Sequence, residues 1–208
     1  MNVFEYYAQN PEPANVFDQA MTSFSSAEIA AVMASYDFSS IRRLVDVAGG
    51  QGSFLTTILK ANPQMEGILF DLPEVIERAK PQIAQEAVVD RCQLVAGSFF
   101  QSVPAGADAY LLKHIIHDWD DERSIAILKN CCTAMAENGR VLVVEQVIPP
   151  GNAPFMGKLL DVNMLVMAPG GKERTEAEYR ALFEAVGFEL TQIVPTQNFV
   201  SVVEGVKR

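Results

Sequence analysis

From Leu44 onward the chain alternates two patterns. Short apolar runs, LVDVA, GILF, QLVAG, AYLLK and RVLVVEQVI, are bounded by Gly, Pro or charged residues, and segments with helical signals lie between them. Strands buried on both faces read as continuous apolar runs, and parallel strands need a crossover to bring the chain back. The alternation therefore predicts an α/β fold, a parallel sheet covered by helices on both faces. The last two runs, FELTQIVPT and NFVSVVEGVK, have only a short connection at Gln197 and Asn198, so they read as an antiparallel pair at the sheet edge. With the five earlier runs they bring the sheet to seven strands.

The helices carry their own marks. Pro73 suits a first turn, and Ile125, Leu128, Cys132 and Met135 follow the acidic start DDE at apolar helical spacing. Thr175 and Glu178 form a capping box, with Gly187 as the stop. Before the sheet, Ser25 and Glu28 read as another capping box, with Ile29, Val32, Met33 and Tyr36 on one face. Further upstream, Phe17, Met21 and Phe24 share a helical face that either packs in the core or roofs a pocket. Residues 1–40 are expected to be a helical lead-in packed on the domain formed by residues 41–208. The one irregular connection is VIPPGNAPFMG, after the fifth strand.

Composition narrows the partners. The 208 residues, 49% of them hydrophobic, suffice for one large domain with its own core. A net charge of -10 repels a phosphate backbone, which excludes nucleic acid as the expected partner. No targeting pattern opens the chain and no run reaches the roughly 18 apolar residues of a membrane span. Cys92, Cys131 and Cys132 form no CxxC pair. A reduced, soluble, cytoplasmic protein is expected.

LVDVAGGQGSF sets an apolar strand directly before a glycine cluster and a helix, where backbone can approach a ligand closely. A dinucleotide fingerprint would require a third glycine, but after Gly50 and Gly52 that position is Leu55. Asp71 ends the run GILF, where a second strand terminates, and a carboxylate there can accept hydrogen bonds from both hydroxyls of a ribose. Together these features point to an adenosine-type cofactor other than NAD.

LKHIIHDWDDE falls at the carboxyl end of a strand and contains both histidines of the chain, His114 and His117. Three readings are open: a metal pair completed by Asp118 or Asp120, a catalytic base, or a satisfied buried imidazole. A base needs a carboxylate to fix its tautomer, and Glu145 at the end of RVLVVE and Glu173 in PGGKERT are the candidates.

The motifs VDVAGGQG, FDLPEVI, LKHIIHDWDDE, NGRVLVVEQVIP, DVNMLVM and GGKERTEAEY stand in the order and spacing of one family. Over nearly all of residues 4–206 the chain resembles the catalytic domain of the plant caffeate-type and bacterial small-molecule O-methyltransferases. The resemblance implies a Rossmann-like fold, S-adenosyl-L-methionine as cofactor with S-adenosyl-L-homocysteine as product, and no metal. It makes His117 the general base, flanked and oriented by Glu145 and Glu173. It assigns cofactor contacts to Ser25, to Asp46, Gly49 and Gly50 of the glycine loop, to Asp71 and Leu72, to Ser98 and Phe99, and to Lys113. Phe17, Met21, Trp119, Met164 and Met167 would wall a small aromatic substrate. The implied activity is O-methylation of an aromatic or polyketide-like compound of secondary metabolism. The alternatives are a partner subunit of a split methyltransferase and a non-methylating relative of the same fold.

Three departures qualify the resemblance. The family usually has Gly where this chain has Ala48, and Asp where it has Ser98, which carries no charge. The family's N-terminal dimerising domain is missing, so a homodimer or a separate polypeptide supplying that domain is expected.

Overall fold

The computed structural model describes residues 10–168 and 170–208, with the side chains of residues 11, 14, 15 and 17–23 outside the described set. Among the described residues, six α-helices and nine strands follow one another. Helix α1 (Pro11–Ser35) leads into β1 (Arg43–Val47), α2 (Ser53–Ala61), β2 (Glu66–Asp71), α3 (Pro73–Ile83) and β3 (Cys92–Ala96). Then come β4 (Ala109–Lys113), α4 (Asp121–Ala134), β5 (Arg140–Glu145), β6 (Val147–Ile148) and α5 (Met156–Met167). The chain ends with β7 (Arg174–Thr175), α6 (Glu176–Val186), β8 (Phe188–Pro195) and β9 (Ser201–Lys207).

The main sheet has the order β3-β2-β1-β4-β5-β9-β8. Strands β1 to β5 pair in parallel, and only β9 runs against its neighbours β5 and β8. This is the seven-stranded α/β sheet that the alternating runs predict. The final strand lies inside the sheet, however, and β8 forms the edge. A small parallel pair, β6 with β7, occupies part of the connection read as irregular and ties it to the start of α6.

The continuous apolar runs arise because successive strand residues feed two different cores. Leu44, Leu69, Leu111 and Leu142 join one cluster with Ile29 and Val32 of α1, Leu55 and Ile58 of α2 and Ile76 of α3. Their neighbours Val45, Ile68, Leu112 and Val143 join the other, with Leu128 of α4 and Phe183 of α6. Each fully buried side chain of this kind contributes roughly 1.5–3 kcal/mol relative to exposure, so a polar residue in either set would be costly.

Helix ends follow the sequence in two places and depart from it in one. Pro73 begins α3, and α6 starts with the Thr175–Glu178 capping box and stops at Gly187 in the left-handed conformation. Ser25 and Glu28 do not start a helix, because α1 begins at Pro11 and runs through them. Alanines and no glycine or proline lie between Pro13 and Ser35, so nothing halts propagation before Ser25. In α4 the buried residues are Ser124, Ile127, Leu128 and Cys131, followed by Met135 at its end, so Leu128 and Met135 of the apolar spacing are buried while Ile125 and Cys132 are only partly covered. Phe24 is 68% exposed and takes no part in the core.

Candidate active site

The chain builds β1, β2 and β3 in one direction across the sheet and then returns to place β4 and β5 on the other side of β1. The crevice beyond the carboxyl ends of β1 and β4 is therefore the switch point, where open α/β sheets bind ligands. Both candidate motifs reach it: the glycine loop leaves β1, and the histidine segment leaves β4.

The loop is shaped by left-handed backbone at Ala48 (φ 56°), Gly50 (φ 60°) and Gly52 (φ 79°). A Cβ on Gly49 would lie 2.5 Å from the Asp46 carboxyl and 2.6 Å from Leu69, so the loop rests directly on the buried Asp46. Burial raises the Asp46 pKa to about 7 despite the charge of Lys113, and its Oδ2 is enclosed without a hydrogen-bond partner. Across from it, Asp71 Oδ2 accepts from the Gly50 N–H at 2.9 Å and Oδ1 from the Leu72 N–H at 2.7 Å. Each oxygen keeps a lone pair for a further donor. Desolvation raises the Asp71 pKa more than these two bonds lower it.

Ser98 and Phe99 follow β3, and together with Ala48, Asp71 and Leu72 they line a cavity of about 820 Å³. That volume lies within the range of small-molecule sites. Asp118 and Trp119 border the same cavity, so it runs from the cofactor candidates to the histidine segment. Trp119, expected on the substrate wall, packs edge-on against Phe99 and Phe100 with ring centroids 6.2 Å and 4.9 Å away, and the Arg123 guanidinium lies over it. Met164 is buried on α5 and Met167 partly so. The side chains of Phe17 and Met21 lie outside the described residues. Ser25 is half-buried within α1, three residues before Glu28.

His117 is buried, with its Nδ1 2.7 Å from Glu173 Oε1. Because a carboxylate accepts, the Nδ1–H donates and Nε2 is left as the free ring nitrogen, 3.7 Å from Asp118 Oδ1. Burial lowers the histidine pKa, but the hydrogen bond to Glu173 and the charges of Glu145, Glu173 and Asp118 outweigh it and raise the pKa to about 9. Desolvation also raises the Asp118 and Glu173 carboxyls. Glu173 is itself tethered, its backbone N–H donating to Asp161 Oδ1 of α5 at 2.9 Å.

Glu145, expected beside the imidazole, holds the backbone instead. Its Oε1 accepts from the N–H groups of Ile115, Ile116 and His117 at 3.0, 2.7 and 3.1 Å, and its Oε2 accepts from the Tyr179 hydroxyl at 2.5 Å. A buried carboxylate at the end of β5 thus fixes the turn that carries His117.

Two further groups complete the arrangement. Arg174, fully buried, donates to the carbonyls of Ile116 (2.9 Å) and Trp119 (2.8 Å) and pairs with Asp121 at 2.8 Å, gripping the same turn from the opposite polarity. It lies within GGKERTEAEY, beside Glu173, but nothing in the sequence indicates that it is buried or what it grips. Glu28 is buried and reaches His114 Nε2 with both oxygens at 3.0 Å and Lys113 Nζ at 3.4 Å. The signal for Glu28 was available: it is a charged residue on the same helical face as Ile29 and Val32. Lys113 thus pairs with Glu28, and its charge also acts on the buried Asp46. Among the described residues no group of three or more His, Cys, Asp or Glu is arranged to hold a metal ion.

Comparison with known proteins gives a consistent set of matches. A profile of the O-methyltransferase domain matches residues 1–189. The phenazine O-methyltransferase PhzM of Lysobacter antibioticus is 45% identical over 201 residues, which are 97% of this chain and 59% of the relative. The mitomycin biosynthesis 6-O-methyltransferase of Streptomyces lavendulae is 37% identical over 90% of this chain and 53% of its own length. Among solved structures, an O-methyltransferase from neocarzinostatin biosynthesis in complex with S-adenosylmethionine and 2-hydroxy-5-methyl naphthoic acid matches all of this chain and 62% of its own, with a TM-score of 0.88 and 33% identity. The chain thus spans between half and three-fifths of the length of the curated relatives it matches.

Proposed function

This chain belongs to the O-methyltransferase domain family, and from that premise we propose that it methylates a hydroxyl on a small aromatic or polyketide-like metabolite, with His117 as general base. The observation that carries the reading is the His117–Glu173 couple at 2.7 Å, on a turn whose next two residues border the cavity that also opens on Asp71.

The residues suit S-adenosyl-L-methionine on three counts. Asp71 retains acceptor capacity for the two ribose hydroxyls, Gly49 lets the loop lie directly on Asp46 and Leu69 where a Cβ would clash, and the enclosed Asp46 oxygen beneath it is without a partner. Gly50, Leu72, Ser98 and Phe99 would hold the adenosine portion, and Lys113 and Ser25 would close the site from β4 and α1. When bound, the cofactor supplies a methyl group on a positively charged sulfur and leaves as S-adenosyl-L-homocysteine.

The protein's own part is to generate and aim the nucleophile. His117 Nε2 accepts the hydroxyl proton, Glu173 keeps the other nitrogen protonated and stabilises the imidazolium, and Glu145 holds the turn in place. General-base assistance of this kind contributes about 10²- to 10⁴-fold, with orientation supplying much of the rest. In this reading Trp119 belongs with Phe99 at the adenosine end. Met164 and Met167 face the acceptor ring, which polarizable thioethers suit. Partners follow the family too: a second copy of the chain, or a polypeptide carrying a further helical domain, would cover apolar residues that stand exposed, such as Leu165 and Val166 of α5. The setting is the reducing cytoplasm, where the free thiols of Cys92, Cys131 and Cys132 persist.

His117→Gln is expected to abolish methyl transfer to a panel of hydroxylated aromatic acids while calorimetry still registers S-adenosylmethionine binding. Wild-type turnover in that variant would remove His117 from the base role.

A further inference from the structure

A hydrogen bond to one ring nitrogen fixes the direction of a single bond. It leaves an imidazole free to rock about that bond, and a base must hold its plane as well as its position to meet a proton in line. Glu173 gives His117 the hydrogen bond. The plane is held from elsewhere: the ring of His114 stacks on that of His117 with centroids 4.9 Å apart and an interplanar angle of 29°.

His114 is itself held under constraint. Its backbone lies in the left-handed region (φ 55°), a conformation that a non-glycine residue keeps only where its surroundings over-determine it. The surroundings here are Glu28, whose two oxygens both lie 3.0 Å from His114 Nε2, and the strand end at Lys113, which pairs with the same carboxylate. Its Nδ1 is enclosed without a partner, so the ring is placed for its face rather than for that nitrogen.

We propose that His114, latched by Glu28 of α1, is a positioning residue that fixes the plane of the His117 imidazole. Two histidine–carboxylate couples then stand face to face, one that takes the proton and one that aims it. Helix α1 is tied to the orientation of the base through a single buried carboxylate. The proposal rests on the reading of His117 as the base, but the ring geometry is measurable without turnover.

With only two histidines in the chain, each ring is resolved by ¹³C relaxation of its Cε1–H group. His114→Asn tolerates the left-handed backbone while removing the ring, and Glu28→Ala keeps the ring while removing its latch. The order parameter of the His117 ring is expected to fall in both variants, while far-UV circular dichroism shows the fold retained. A His117 ring as ordered in either variant as in the wild type would overturn the proposal. The kinetic counterpart is a kcat lowered about tenfold in His114→Asn at unchanged KM. If His117→Gln turns over normally while the relaxation results hold, the base assignment fails and the positioning relation stands.

Discussion

A histidine with a pKa of about 9 carries its proton at neutral pH, and a base that must accept one has to lose it first. For His117 burial works toward loss, while Glu173, Glu145 and Asp118 work against it. A cation placed nearby, such as a sulfonium, acts in the same direction as burial. In the free protein kcat/KM is therefore expected to climb with pH on a limb approaching about 9. Glu173→Gln, which removes a charge that raises this pKa and weakens the hydrogen bond that also raises it, should move the limb to lower pH and reduce the plateau. A pH–rate profile whose limb does not move in that variant would detach Glu173 from the imidazole. The same shift has a sign for stability. The folded value exceeds the ordinary histidine value of 6.5, so the contribution is complete below that pH and is lost as pH rises through about 9. At this scale the sequence identified His117 and Glu173 through motif and resemblance. Their distance, and the turning of Glu145 toward three backbone N–H groups, came only from folding.

The β1–α2 loop carries an alanine where the resemblance leads one to expect glycine, yet its backbone there takes the left-handed conformation that glycine favours. Ala48 occupies a left-handed conformation that costs an alanine about 1–2 kcal/mol more than the right-handed region, a cost glycine does not carry. Ala48→Gly gives back some of this through a more flexible unfolded chain. The net expectation is a gain of about 1 kcal/mol in the free energy of urea unfolding, together with tighter S-adenosylmethionine binding where the methyl group now lines the cavity. A loss of stability would mean that the loop is not strained at this residue. Local rules read other elements well: Pro73 and the Thr175 capping box act on groups within one turn. They misread α1, because a Ser-x-x-Glu pattern marks a helix start only if the preceding residues stop the helix. Here Glu28 went to Lys113 and His114 instead.

Across the whole molecule, apolar surface is left over as well as buried. Leu159, Val162, Leu165 and Val166 of α5 are 61–81% exposed, and Val16 and Phe24 of α1 are 70% and 68% exposed. Surface of this kind is commonly covered in an assembly. The chain is expected to show concentration-dependent association in sedimentation, and Leu159→Glu with Val166→Glu, one heptad apart on α5, should weaken it. A clean monomer at every concentration would exclude a second copy as the cover. The sequence by itself determined the seven-stranded sheet, the glycine loop and the histidine segment at its carboxyl edge, because periodicity and turn residues are local or nearly local signals. Tertiary structure alone decided that Glu28 meets His114, that Arg174 clamps the turn at Ile116 and that Glu145 anchors its amides. Those pairs lie 86, 58 and 29 residues apart, and no spacing rule reaches across a fold to say which buried charge will find which partner.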